Sequence, residues 1–228
     1  MVGNVKCLNE FLCGSWPWIP RTRWLIALVL STSAILSPQT VTITAHTASG
    51  GPAGITTGPD GALWFTENAG NKIGRMTTNG MFTEYEVPTP SSGVDSISMG
   101  PDGALWFTEF GPDANKIGRI TSLGVITEYS VPSSGAGPLH ITSGADGALW
   151  FTEFLANKIG MLATTGAFTE YALPGSDRGP AGITNGPDHT VWFTEYYSND
   201  IVHAVLRERA GCKTLVEFSR SPLCRVCR

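Results

Sequence analysis

The tetrad Trp-Phe-Thr-Glu occurs four times, starting at Trp64, Trp106, Trp150 and Trp192. The spacings are 42, 44 and 42 residues, and a Gly-x-Asp turn precedes every copy. A fixed period of this size decides the architecture before any other signal. Each repeat must be one supersecondary unit that buries its faces against copies of itself.

Four strand signals follow one another inside each unit. The first is short and rich in small residues: "AGITTG" at 53–58 and "DSISMG" at 95–100. A turn such as Pro59-Asp60-Gly61 suits a tight hairpin. The second strand is "ALWFTE". The third is "NKIGRM" at 71–76, "NKIGRI" at 115–120 and "NKIGML" at 157–162. A glycine turn leads to the fourth, "FTEYEVP", "ITEYSVP" or "FTEYALP", closed by a proline that cannot extend a ladder.

Four short antiparallel strands in about 42 residues match one propeller blade. Leu63 and Phe65 alternate with Trp64, so both faces of the second strand are apolar, as in a sheet sandwiched between neighbours. The fourth strand alternates Thr83, Tyr85 and Val87 with Glu84 and Glu86, which fits an outer edge. No 3.6-residue period runs through the unit, so a helical solenoid is excluded. The fold class is all-β: a β-propeller of four-stranded antiparallel blades, with about four blades present. The tryptophans are expected to pack between blades and not to form a carbohydrate platform.

The 228 residues carry a net charge of −4, and the chain lacks the basic field that would recruit nucleic acid. Its 27 glycines and 15 prolines fall largely at fixed intervals and read as turn chemistry. Cys7, Cys13, Cys212, Cys224 and Cys227 all lie outside the repeats, so no disulfide framework holds the fold. Cys224 and Cys227 have metal-site spacing with Cys212 as a third ligand, but no fourth ligand is near in sequence. Unpaired tail thiols are the preferred reading. No G-x-S-x-G, H-E-x-x-H or P-loop is present.

Three segments are expected. Residues 1–45 form a signal peptide or membrane anchor: the apolar run 24–36 follows Arg21 and Arg23, and "TAHTA" at 44–48 offers a cleavage site. The run is short for a bilayer-spanning helix, which needs about 20 apolar residues. A soluble apolar segment is the third alternative. Residues 46–203 hold the blades. Residues 204–228 are a divergent, basic, Cys-containing tail that reads as a helix and loop, a disordered tail or the product of an altered frame. The chain is expected to be exported, to the periplasm or outside the cell, or membrane-anchored.

The units "GPDGALWFTE…NKIGRI…ITEYSVP" resemble the virginiamycin B lyase (streptogramin lyase) family over about residues 51–202. The resemblance implies a seven-bladed propeller and a Mg²⁺-dependent carbon–oxygen lyase. Such an enzyme opens a cyclic depsipeptide antibiotic by elimination and so confers antibiotic resistance. It also implies a site in late blades, with a histidine in Pro-His-(Ala/Gly)-Ile and an acid before one such histidine in Glu-x-His. The WFTE glutamate fourteen residues on completes the ligands.

Here the histidine-equivalent positions are Ala53, Asp95, Leu139 and Ala181, and the acid maps to Gly51, Gly93, Gly137 and Gly179. None matches. Asp95 and Glu109 are the candidate metal ligands, since only that blade has acids in both rows. His140 is the candidate ligand-binding residue, although it falls one position late. Glu67, Glu109, Glu153 and Glu195 recur in every blade and therefore read as scaffold, with Asn71, Asn115, Asn157 or the neighbouring lysines as hydrogen-bond partners.

Two functions follow. One is a lyase-like enzyme that uses Mg²⁺ if the family activity is retained. The other is a non-catalytic exported propeller that binds a small-molecule, peptide or protein partner at its channel. Four blades either close a small ring, stand as an open arc or fragment, or self-associate to complete a larger ring.

Overall fold

The computed structural model describes residues 43–209 and 212–220. The calls on the apolar run 24–36 and on Cys7, Cys13, Cys224 and Cys227 lie outside them. The described residues from Ala45 onward form one compact unit. Among the described residues every regular element is a strand, and no helix is long and apolar enough to cross a membrane.

Each repeat folds as one antiparallel meander. Blade 1 is β1 (Pro52–Thr57), β2 (Leu63–Glu67), β3 (Lys72–Met76) and β4 (Phe82–Glu86). Blade 2 is β5 (Val94–Met99), β6 (Leu105–Glu109), β7 (Lys116–Ile120) and β8 (Ile126–Ser130). Blade 3 is β9 (Pro138–Ser143), β10 (Ala148–Glu153), β11 (Lys158–Ala163) and β12 (Phe168–Ala172). Blade 4 is β13 (Pro180–Asn185), β14 (Val191–Glu195), β15 (Asp200–Arg209) and β16 (Cys212–Arg220). Strand order within each sheet follows chain order.

Blade 4 departs from the sequence reading. The propeller was expected to stop at residue 203, yet β15 continues to Arg209 and pairs with β16 from Val202↔Arg220 to Arg209↔Cys212. The alternating "KTLVEF" forms the outer strand without the Thr-Glu-Tyr motif. Ladder hydrogen bonds ask only for extended backbone, so the outermost strand tolerates a foreign sequence.

The blades pack through two unlike faces. One face of each sheet presents tryptophan and the other phenylalanine, because successive side chains on a strand point to opposite sides. Trp64 and Ile73 of blade 1 meet Ile97, Leu105 and Phe107 of blade 2. Trp106 and Ile117 meet Ile141, Leu149 and Phe151. Trp150 and Ile159 meet Ile183, Val191 and Phe193. The inner strands β1, β5, β9 and β13 lie side by side in that order.

Each tryptophan is fixed by its own turn. Asp60 Oδ1 accepts from Trp64 Nε1 at 3.0 Å, and its Oδ2 accepts from Arg75 at 2.6 Å. The same indole stacks on Tyr85 at 5.6 Å. Asp102, Asp146 and Asp188 hold Trp106, Trp150 and Trp192 at 3.0, 3.1 and 3.0 Å. Burial opposes ionisation of Asp60 and Asp102, but the hydrogen bonds from indole and guanidinium outweigh it and hold both carboxyls below the usual range. Gly74 of β3 is required by the other face, since a Cβ there would stand 2.3 Å from the Phe65 ring.

Trp106 is fully buried at the middle seam. Trp106→Ala removes a packed aromatic and the indole's hydrogen bond to Asp102, and is expected to destabilise by about 3–5 kcal/mol. Chemical denaturation measures it, and a midpoint equal to the parent's would displace Trp106 from the core.

Candidate functional site

The site grows from the inner strands. Asp95 and Ser96 of β5, His140 of β9 and Ala53 and Gly54 of β1 line one cavity of about 180 Å³. It lies at the ends where the inner strands begin and the WFTE strands finish, as the pairs Pro52↔Glu67 and Val94↔Glu109 show. The structure therefore brings Asp95 and His140 to one cavity. Glu109 is not on its lining.

A role that the sequence reading missed belongs to the tetrad threonine. Thr66 Oγ1 accepts from the Gly54 N–H of its own blade at 2.8 Å and donates to the Asp95 carbonyl of the next blade at 2.6 Å. Thr108 accepts from Ser96 at 3.0 Å and donates to Leu139 at 2.9 Å. Thr152 accepts from His140 at 3.1 Å and donates to Ala181 at 2.9 Å. These hydroxyls set the spacing of the cavity-lining strands. The signal was available: threonine is present in all four tetrads, where a strand face alone would accept valine.

The tetrad glutamates are buried. Glu67, Glu109 and Glu153 are 0% exposed, and among the described residues no well-aligned hydrogen bond reaches their carboxyl oxygens. The expectation that the Asn-Lys pairs would serve them is corrected. Lys72, Lys116 and Lys158 pair with Glu84, Glu128 and Glu170 of the outer strands at 2.6, 2.7 and 3.1 Å. Asn71 instead donates to the carbonyls of Val87 and Thr89 and accepts from Ser92. The lysines turn to the outer carboxylates because those are partly solvated and make an ion pair without burying a charge.

Desolvation, followed by the like charge of the outer glutamate, pushes the carboxyls of Glu109 and Glu153 up to about 8. Glu67 is raised by the same two causes, with the backbone of Gly50 pulling the other way. Burial thus favours the neutral form of Glu109 and Glu153. Glu195 differs: Ser198 donates to it at 2.6 Å, and the Arg178 guanidinium lies 3.7 Å away.

The glycines in the acid row have a structural reason. Gly51, Gly93, Gly137 and Gly179 have φ of 67°, 63°, 60° and 61°. This left-handed region strains residues with a Cβ. At Gly137 a Cβ would stand 2.8 Å from Leu155, and at Gly179 2.6 Å from Tyr197. Mg²⁺ prefers octahedral oxygen ligands from carboxylates and waters. Among the described residues no three His, Cys, Asp or Glu side chains converge as a cation site. With left-handed glycines in the acid row and no converging ligand set among the described residues, the residues present do not fit the Mg²⁺ centre that the resemblance implies.

The loops after the WFTE strands carry an apolar rim at the same end. Phe154 and Tyr197 lie 5.7 Å apart and Tyr196 and Tyr197 5.2 Å. Leu155, Tyr196 and Tyr197 are largely exposed.

Four-stranded meanders packed tryptophan face on phenylalanine face about adjacent inner strands define a β-propeller. The chain belongs to the virginiamycin B lyase family, whose model matches residues 33–213. Among solved structures it is similar to a selenomethionine-substituted virginiamycin B lyase from Staphylococcus aureus. That match has 43% identity and a TM-score of 0.69, and covers 77% of this chain and 56% of that one. A streptogramin B lyase matches with 46% identity and a TM-score of 0.66, covering 68% and 52%. A catalytically inactive His-to-Ala variant of the Staphylococcus aureus enzyme, with quinupristin, matches with 42% identity and a TM-score of 0.70, covering 80% and 59%. The chain thus spans a little over half the length of these lyases.

The buried acids set a pH dependence. The unfolded chain loses these protons near 4.5 and the folded chain near 8. Between those values the folded state holds more protons, so this stabilisation is complete below pH 4.5 and is lost as pH rises to about 8. The slope is at most about 1.4 kcal/mol per pH unit for each group. Thermal unfolding is expected to show a melting temperature that falls between pH 6 and 8, and a Glu109→Gln/Glu153→Gln double variant that flattens the fall. An unchanged slope in the double variant would show that both acids are ionised in the fold.

Proposed function

We propose that this chain is a ligand-binding propeller of its family whose described blades do not open cyclic depsipeptides. One observation carries the reading. The positions that the family pattern gives to an acid are left-handed glycines, and the glutamates beside them are buried, which pushes the carboxyls of Glu109 and Glu153 up to about 8. Ring opening by elimination needs a base at the departing proton and a cation to stabilise charge on the carbonyl side. Buried carboxyls without a histidine and a further acid converging beside them are poorly placed to supply either. In the Staphylococcus aureus relative, a single His-to-Ala variant is catalytically inactive.

What the blades offer is a binding surface. The cavity at Asp95 and His140 gives a polar floor, and Leu155, Phe154, Tyr196 and Tyr197 give an aromatic rim. That combination suits an apolar peptide or depsipeptide with a few polar groups. The ligand would meet the chain outside the cytoplasm. The arginine-flanked apolar run supports export or anchoring, and cell fractionation with amino-terminal sequencing tests it. A cytosolic product with an intact amino terminus would refute it.

The functional test uses quinupristin with the purified chain. Mass spectrometry is expected to show no Mg²⁺-dependent loss of the intact ring above a no-protein control. Fluorescence titration is expected to show binding that weakens about tenfold in Tyr197→Ala, the loss of one aromatic contact of about 1.4 kcal/mol. Mg²⁺-dependent ring opening would overturn the proposal. If that activity vanished in Asp95→Ala or Glu109→Gln, the centre would lie in blade 2.

A further inference from the structure

The seam between blades 3 and 4 differs from the other two in three side chains, and a cavity lies where they fall short. In blades 1 and 2 an arginine stands across the ladder from the tetrad tryptophan, Arg75 opposite Trp64 and Arg119 opposite Trp106. Each guanidinium lies over its indole, 5.9 and 5.8 Å from the ring centre. Each also donates through Nε to the turn aspartate, Asp60 or Asp102, at 2.6 and 2.7 Å. In blade 3 the same place is Met161, opposite Trp150. Asp146 keeps its place in the turn and accepts from the Trp150 indole at 3.1 Å.

The facing blade is cut back as well. Leu105 and Ile120 fill the first seam, and Leu149 and Leu162 the second, all 0% exposed. Their counterparts at the third seam are the smaller Val191 and Ala204. A cavity of about 250 Å³ lies there, lined by Asp146, Trp150, Val191 and Ala204 together with Asp188 and His189. It sits where the first and second strands of blades 3 and 4 turn, at the other end of the strands from the Asp95–His140 cavity. His189 holds the place of Gly61, Gly103 and Gly147 and has a left-handed φ of 61°. That backbone disfavours a side chain. The one turn that carries a ring there is the turn beside the cavity.

We propose that this cavity binds a guanidinium group on a short alkyl stem, as the chain itself holds Arg75 and Arg119. Asp146 offers a carboxylate, Trp150 an indole, and Val191 and Ala204 an apolar floor for the stem. A planar guanidinium can meet a carboxylate and an aromatic face together, which a compact ammonium does less well. Among the described residues no three His, Cys, Asp or Glu side chains converge, so the wall does not suit a metal ion. The volume lies below the roughly 300–1,000 Å³ of drug-sized sites and matches a group of side-chain size. A small alkylguanidine and an arginine of a peptide share this chemistry.

Isothermal titration calorimetry of the full chain tests the proposal, with n-propylguanidinium, its neutral counterpart n-propylurea and a capped Gly-Arg-Gly peptide as probes. The guanidinium is expected to bind at least about tenfold more tightly than the urea. The tighter of guanidinium and peptide identifies the source. Met161→Arg supplies the cation from within the blade, as blades 1 and 2 do, and Ala204→Leu restores the bulk of Leu162. Both are expected to keep the parent's circular dichroism and to weaken binding at least about tenfold. Asp146→Asn leaves an acceptor for the indole but removes the charge, and is expected to weaken binding by a similar factor. No binding of either guanidinium probe, equal affinity for the urea, or parent-like affinity in both Met161→Arg and Ala204→Leu would overturn it.

Discussion

The hydroxyl of the tetrad threonine is the interaction on which the rest of the structure turns. At Thr66, Thr108 and Thr152 it accepts from an inner strand of its own blade and donates to the inner strand of the next. It is fully buried at Thr66, Thr108 and Thr152, where an unpaired hydroxyl would be costly. The inner strands are thereby held at a separation that lets tryptophan meet phenylalanine farther out. A second link lies at the outer edge, where Glu128 accepts from both the backbone and the hydroxyl of Thr89 in the preceding blade's exit loop. Glu170 does the same with Ser133. Two polar stitches therefore bracket the first two apolar seams.

Much of this was legible in the sequence, because a 42-residue period with four strand signals leaves few architectures open. The tryptophans' packing role followed from their recurrence. The Asp60-type residues were recognisable as turn residues. Their hold on the indole was not read, although the four-residue spacing from Asp to Trp recurs in every repeat, because the turn alone accounts for an aspartate there. The outer strand β16 was illegible for a related reason. An edge ladder depends on backbone bonds and alternation, and it can be built from residues that share no motif with the other blades.

The candidate site divides along the same line. Asp95 and His140 were found from the family pattern, and the structure places both on one cavity. Their registers differ by one residue, and they meet because adjacent inner strands run side by side. The tetrad glutamates were read as scaffold on the ground that they occur in every blade. Their partners were misassigned, because a sequence shows that lysine and glutamate are neighbours but not which of two glutamates is drier. Left-handed glycine at Gly93 and Gly137 is visible in sequence only as glycine. The backbone geometry shows that any side chain there would be strained.

The bifunctional threonine has a consequence for how such a chain grows and shrinks. Its donor and acceptor ends belong to different repeats, so the energetic unit is offset from the genetic one. Each added repeat brings one half-seam at its leading edge and completes another at its trailing edge. The cohesion of the series then scales with the number of nearest-neighbour junctions, as in other repeat proteins. A duplication or deletion of one whole repeat leaves every remaining junction chemically intact. Gene segments of this period can therefore be gained or lost without redesigning the residues that join them.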